Sequence, residues 1–340
     1  MSISLFLVTL IVIIALGFDL ANGFHDAANS IATVVSTRVL SPVVAVLWAA
    51  FFNFIAMLIF TPRVADAVAN IVKIGTHDIS YVFVILSGLI GAIAWNLITW
   101  RLGLPISSSH AIIGGLGGAG MAYAGWEALR WDIVLNTILF IVLSPLMGFV
   151  LGSLLMMLFM WISRKLTPLE VQKTFSKGQL ISAALYSIGH GANDAQKTMG
   201  IILALLIGSG YLESSATLSL SNPQTSWIIL SCQLAMALGT ALGGWRIVKT
   251  MGMKIVKLKP IGGFCAETSG SLTLFLATHF GIPVSTTHTI TGSIIGVGAI
   301  SEHLSQIKWG VAANVIWAWI LTIPATALLA AFLFKCFSLI

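Results

Sequence analysis

Asp19, Asn22, Asp26 and Asn29 fall at i, i+3, i+7 and i+10 of an apolar run, which puts all four on one face of a helix. Ser187, His190, Asp194 and Lys197 repeat those intervals in the second half of the chain. Two such stripes offer donors, acceptors and charges to a small ion, and carboxylates to a coupling cation or proton. A plain interhelical hydrogen-bond seam needs only neutral polar groups. A charged residue at mid-membrane costs roughly 2.5 to 3.5 kcal/mol, so carboxylates in so apolar a setting point to function.

A second pair of motifs has a different chemistry. Pro105-Ile106-Ser107-Ser108-Ser109-His110 and Pro283-Val284-Ser285-Thr286-Thr287-His288 each set a proline ahead of three hydroxyls and a histidine. Proline suits the first turn of a helix, where a missing N–H does no harm. The hydroxyls of Ser107, Ser108, Ser109, Ser285, Thr286 and Thr287 then cluster beside N–H groups that have no intrahelical acceptor. Hydroxyls, N–H groups and the positive end of the helix dipole together replace the hydration shell of a small oxyanion.

The elements that must position these residues follow from composition. Of 340 residues, 58% are hydrophobic and 8% charged, and the mean hydropathy is +1.00. A soluble domain carries about 25% charged residues, so this chain is expected to be an all-α polytopic membrane protein. Stretches of about 20 apolar residues are predicted near 2–35, 43–60, 80–100, 104–122, 133–162, 179–209, 227–245, 261–280, 282–300 and 309–335. The first has no basic n-region and no cleavage pattern, and is expected to be a span rather than a signal peptide. The Gly-rich 104–122 and 282–300 pieces are candidates for broken or re-entrant segments.

The paired motifs expose an internal repeat, with Gly23 to Ser30 matching Gly191 to Thr198 and Gly103 to His110 matching Gly281 to His288. The predicted organisation is a first repeat over 1–162, a cytoplasmic linker over 163–178 and a second repeat over 179–340. Five segments per half is an odd number, so the halves insert with opposite polarity. Inverted repeats of this kind build secondary transporters with sites near the midplane. Nine of the 17 Lys and Arg residues lie in two connections, Arg164 to Lys177 and Arg246 to Lys259. Both are expected in the cytoplasm, with the N-terminus outside.

Net charge is +6, yet no basic stripe with interleaved aromatics accompanies it, which argues against nucleic acid as a partner. No H-E-x-x-H spacing supports a metallohydrolase, and the chain is not expected to be an enzyme. Cys232, Cys265 and Cys336 form no ligand spacing and are expected in core packing. Acceptor-only carboxylates beside anion donors suit hydrogen phosphate, which has a proton to give, better than sulfate. Sulfate or another tetrahedral oxyanion remains the alternative cargo. Phosphate would lie among Asn22, Asp26, Asp194, Lys197 and the hydroxyls.

Gly23 to Ser30, Gly189-His190-Gly191-Ala192-Asn193-Asp194 and the paired Pro-x-Ser-x-x-His motifs resemble the inorganic phosphate transporter (Pit) family over essentially the whole chain. The resemblance implies an inverted-repeat symporter, a homodimer in the lipid of the plasma (inner) membrane, moving phosphate with a cation by alternating access. By position it implicates Asp26, Asn29, Asn193 and Asp194 in ion and phosphate binding, with Ser107, Ser108, Ser285 and Thr286 on the phosphate. Phe24-His25 and Gln196-Lys197 depart from the sodium-coupled pattern. A lysine at a cation-ligand position repels sodium there. The chain is therefore more similar to the bacterial low-affinity type, which implies a proton as coupling cation, with sodium the alternative. No further cofactor is implied, beyond a divalent metal carried with the phosphate.

Other residues invite roles. Glu267, inside a predicted span, is a candidate proton carrier, so that Asp26, Asn29, Asp194 and Glu267 make up the coupling set. His25, His110, His190 and His288 lie near the site and belong to the residue type that titrates near neutrality. Arg101 is expected to anchor a span end. The Gly114 to Gly120 run, with Gly292, Gly296 and Gly298, is expected to permit close helix packing.

Overall fold

The computed structural model describes residues 3–73, 75, 77–302 and 304–339. Through these run twelve α-helices: α1 (Leu5–Ser36), α2 (Pro42–Ile55), α3 (Arg63–Ala69), α4 (Ile79–Leu102), α5 (Ser108–Ala124), α6 (Trp131–Ile162), α7 (Pro168–Gly208), α8 (Ser226–Leu242), α9 (Trp245–Lys249), α10 (Pro260–His279), α11 (Thr286–Ser301) and α12 (Trp309–Phe337). All ten predicted segments coincide with helices. Two short helices were not foreseen. α2 and α3 meet at 85°, and α8 and α9 at 60°. Pro62 biases its predecessor away from helical backbone at the first break, and Gly243, at φ +70°, supplies the second.

Most of the predicted 163–178 linker is instead helical. α7 begins at Pro168 because Thr167 and Glu170 form a capping box, each side chain accepting from the other residue's backbone N–H. The helix then continues for 41 residues.

Among the described residues, four helices, α1, α4, α6 and α12, are long and apolar enough to cross a membrane, or up to six if each bent pair is one span. α5 and α11 have only 17 and 16 residues, fewer than a span needs. Polarity is distributed in the reverse of a soluble protein. Leu139, Val142 and Leu146 of α6 and Trp317, Leu328 and Phe332 of α12 are exposed, whereas Asp19, Asp26, Asp194, Lys197 and Glu267 are buried. The buried cysteines are Cys232 and Cys265; Cys336 lies on the exposed face of α12, among apolar side chains fit for lipid.

Glycines set the helix contacts. A Cβ on Gly114 or Gly118 would sit 2.1 or 2.2 Å from Thr326 Oγ1 or the Ala327 carbonyl of α12. On Gly292 or Gly296 it would sit 2.1 or 2.2 Å from the carbonyls of Pro145 or Phe149 in α6. Thus α5 packs on α12, and its counterpart α11 on α6.

α4–α5 and α10–α11 form two hairpins, turned by Gly103 at φ +69° and Gly281 at φ +70°. The two tips meet inside the protein. Ser109 Oγ donates to the Val284 carbonyl at 2.8 Å, and Thr287 Oγ1 donates to the Ile106 carbonyl at 3.0 Å. Each tip is also held by an arginine from a short helix. Arg63 of α3 donates to the His279 carbonyl, and Arg246 of α9 to that of Arg101, both at 2.8 Å.

Candidate functional site

The polar stripes of α1 and α7 converge on the two hairpin tips. One oxygen or nitrogen each from Asp26, His190 and Asp194 lie within 4.8 Å of one another, and all three residues are buried. The two carboxylates are therefore brought within reach of one another, in one buried cluster.

Each carboxylate takes a hydroxyl from a hairpin start. Ser108 Oγ donates to Asp26 Oδ2 at 3.3 Å, and Thr286 Oγ1 donates to Asp194 Oδ2 at 3.2 Å. Ser108 and Thr286 are equivalent positions of the repeated motif. Ser107 and Ser285 are the N-caps of α5 and α11, accepting from the N–H of His110 at 3.3 Å and of His288 at 3.1 Å. The prolines do not occupy the first helical turn as predicted. Pro105 and Pro283 precede the caps, in extended chain that delivers Ser107 and Ser285 to the cap position. The first N–H groups of both helices still lack intrahelical acceptors.

The stripes are not chemically identical. His25 Nδ1 hydrogen-bonds Asp26 Oδ1 at 2.7 Å. In the second copy Lys197 Nζ donates to Asp194 Oδ1 at 2.6 Å, and His190 Nε2 lies 3.4 Å from Asp194 Oδ2. Asn29, at the position equivalent to Lys197, donates to Thr286 Oγ1 at 3.1 Å and Thr287 Oγ1 at 3.0 Å, while its own Oδ1 has no partner. Asn22 is buried, and neither of its side-chain polar atoms has a partner among the described residues. A buried acid facing donors and an unpartnered amide can accept a protonated oxyanion from one side and a cation from the other.

Several predicted residues are engaged with backbone. Asn193 donates to Thr278 Oγ1 and the Ile282 carbonyl and accepts from the Val284 N–H, so its amide holds the second hairpin. Ser109 and Thr287 spend their protons across the tips, as described. His110 and His288 pack edge to face at 4.4 Å, and His288 stacks on Trp319 at 3.6 Å.

Glu267 stands apart from this cluster. It is fully buried, and accepts from Thr33 Oγ1 at 2.6 Å, Gln179 Nε2 at 2.9 Å and Ser182 Oγ at 2.5 Å. Thr33 follows Asp26 by seven residues, about 10 Å of helix.

Sequence reasoning missed the second layer. Tyr186 donates to the Thr286 carbonyl at 2.9 Å. Asn53 donates to Thr240 Oγ1 at 2.8 Å and presents Oδ1 to His190 Nδ1 at 3.3 Å. Gln196 accepts from the Val64 N–H at 2.8 Å and donates to the Thr61 carbonyl, pinning the α2–α3 break to α7. A polar residue within an apolar run was the available signal for Asn53, Gln179 and Ser182, but nothing in spacing named their partners.

A cavity of about 410 Å³ opens beside that break, lined by Phe60, Arg63, Asp66, Ala192, Gln196 and Gln233 among others. It reaches α7 within two residues of Asp194.

The sequence profile described as the Phosphate transporter family matches residues 22–330. A probable low-affinity inorganic phosphate transporter of Rhizobium meliloti (strain 1021) is 54% identical over 323 residues, covering 94% of this chain and 93% of that protein. One of the same name from Bacillus subtilis (strain 168) is 45% identical, over 97% of each chain. These relatives are named as transporters, in line with the expectation that the chain is not an enzyme. A solved structure titled the sodium-dependent phosphate transporter shares the fold, with a TM-score of 0.85 over 99% of this chain and 100% of that one, at 24% identity. Membership follows from the profile match and from relatives 54% and 45% identical over nearly the whole chain: the chain belongs to the phosphate transporter family.

Proposed function

We propose that the chain imports inorganic phosphate across the plasma membrane by proton-coupled symport. The observation that carries this is the close approach of Asp26 and Asp194 in one buried cluster, each carboxylate joined to a hydroxyl at the start of a different buried helix. A hydrogen phosphate ion meets all its needs there. Its unprotonated oxygens face N–H groups, hydroxyls and the Lys197 ammonium, and its own proton faces a carboxylate.

Two copies of one unit, inserted with opposite polarity, would bring the hairpin tips together from opposite faces. If each hairpin re-enters, three crossings per half replace five. Both are odd, so the N-terminus stays outside and the basic connections stay in the cytoplasm. The same proposal takes in the homodimer implied by the resemblance.

Protons are favoured over sodium because Lys197 stands where the second copy would otherwise offer a cation ligand. Glu267 is the proposed inner proton carrier. Asp26, His190 and Asp194 also offer three ligand atoms to a divalent ion travelling with phosphate as cargo. Alternating access would proceed by releasing one arginine-held tip at a time, with the cavity beside Arg63 as the approach from outside.

Radiolabelled phosphate uptake into proteoliposomes tests the reading. An inward proton gradient should drive accumulation above equilibrium, and excess unlabelled sulfate should leave it unchanged. Uptake that follows only a sodium gradient would reject proton coupling, and uptake that never exceeds equilibrium would indicate a channel.

A further inference from the structure

Asp19 takes no part in the cluster of Asp26, His190 and Asp194 described above. It is fully buried on α1, seven residues or about 10 Å of helix before Asp26. Neither carboxylate oxygen has a hydrogen-bond partner among the described residues. Asp194 and Lys197 from α7 and Cys232 from α8 lie near enough to it to interact electrostatically. The Thr198 hydroxyl adjoins it without closing a standard hydrogen bond. Lys197 does not serve as its dedicated counterion, since that ammonium is bound to Asp194 at 2.6 Å. One turn along α1, Asn22 has both side-chain polar atoms unpartnered.

The carboxylate belongs to the first copy alone. Its repeat counterpart is Ser187, whose hydroxyl donates to the Ala183 carbonyl at 2.8 Å, an ordinary helical back-bond. Position for position, the first copy carries an acid at Asp19 where the second has Ser187, and the second an ammonium at Lys197 where the first has Asn29. An ionised carboxylate fully buried without donors costs several kcal/mol. A monovalent cation removes that cost, either as a proton on the carboxyl or as a sodium ion on the oxygens of Asp19, Asn22 and Thr198.

We infer that Asp19, with Asn22 and the Thr198 hydroxyl, is a second binding site for the coupling cation, on the opposite side of the phosphate chamber from Glu267. Asp19, Asp26 and Thr33 follow one another at intervals of seven along α1, and Thr33 holds Glu267. Asp19 and Asp26 on α1, with Glu267 of α10 held at Thr33, thus form a file beside one helix, with phosphate at the middle position. This inference rests on the symport proposed above.

The test separates net coupled flux from phosphate self-exchange in proteoliposomes. Asp19→Asn should exchange phosphate within about twofold of the unmodified protein, yet lose roughly tenfold or more of gradient-driven accumulation. Applying proton and sodium gradients separately identifies the cation by which drive is lost. Unchanged accumulation would overturn the inference, as would an equal loss of exchange and accumulation, which marks a structural role. Should Asp19→Asn fail to fold, Thr198→Val decides: a raised half-saturating cation concentration with normal exchange supports the site, and an unchanged one removes it. If the unmodified protein itself never accumulates phosphate, it is the symport reading that has failed.

Discussion

Ser109 donates its hydroxyl proton to the carbonyl of Val284, and Thr287 returns the same bond to Ile106. The donors are equivalent residues of one repeated motif, and so are the acceptors. These bonds tie the two hairpin tips to each other rather than to cargo. Removing either donor leaves a buried carbonyl unsatisfied, which costs about 1 to 3 kcal/mol. Ser109→Ala and Thr287→Val should therefore lower the melting temperature in detergent and the maximal transport rate. Their KM for phosphate should move less than that of Ser108→Ala, whose hydroxyl faces Asp26.

Lys197 and Asp194 form a buried ion pair, so deleting one partner strands the other's charge. Lys197→Met should destabilise the protein by roughly 3 to 5 kcal/mol. Adding Asp194→Asn to Lys197→Met should recover part of that stability while leaving transport abolished. Thermal unfolding of the single and double mutants checks the coupling, and equal unfolding of both would show that the pair is not the source of the effect.

Glu267→Gln replaces one acceptor oxygen with an amide NH2 among the three donors Thr33, Gln179 and Ser182. Proton-gradient-driven accumulation should be lost. The KM for phosphate should stay within about threefold, since Ser182 precedes Asp194 by twelve residues, about 18 Å of helix. A KM raised far beyond that range would place Glu267 on the substrate instead.

The polar stripes were legible because a carboxylate in an apolar helix has few innocent explanations, and because every motif occurred twice. Asp26, Asp194 and the hydroxyl-rich helix starts were found that way, as was the all-helical membrane fold. Other features depended on contacts between segments far apart in the chain. Asn193 sits beside Asp194 in sequence, yet only the nearby second hairpin directs its amide to Val284 and Thr278. The short helices α3 and α9 escaped notice because a seven- or five-residue helix after a break has too few turns to show a period. Pro105 was placed in the first helical turn on general preference, but the hydrogen bond from the His110 N–H to Ser107 sets the start later.

Arg63 and Arg246 hold opposite hairpins by the same bond to a backbone carbonyl, two residues before each turning glycine. Both are exposed, so their replacement by Ala should cost little stability, within about 1 kcal/mol. The expected signature is kinetic: a several-fold change in maximal rate with KM for phosphate nearly unchanged, because tip release rather than binding is altered. Accessibility of single cysteines to a membrane-impermeant reagent, introduced beside each tip, should rise on the side whose arginine is removed. Equal accessibility in both variants would show that the arginines do not restrain the tips.

Near Gly292 a single methyl group should be decisive, because a Cβ there would meet the Pro145 carbonyl at 2.1 Å. Gly292→Ala should cost about 1 to 3 kcal/mol through overpacking. Thermal unfolding in detergent checks this, and an unchanged melting temperature would mean that α6 and α11 can separate freely.

The central claim is that Asp26 and Asp194 jointly grip the transported ion, and phosphate uptake into proteoliposomes under an inward proton gradient tests it most directly. Asp26→Asn and Asp194→Asn, each folded and correctly inserted, should lose uptake by roughly a hundredfold; uptake at the unmodified level in both would contradict the account.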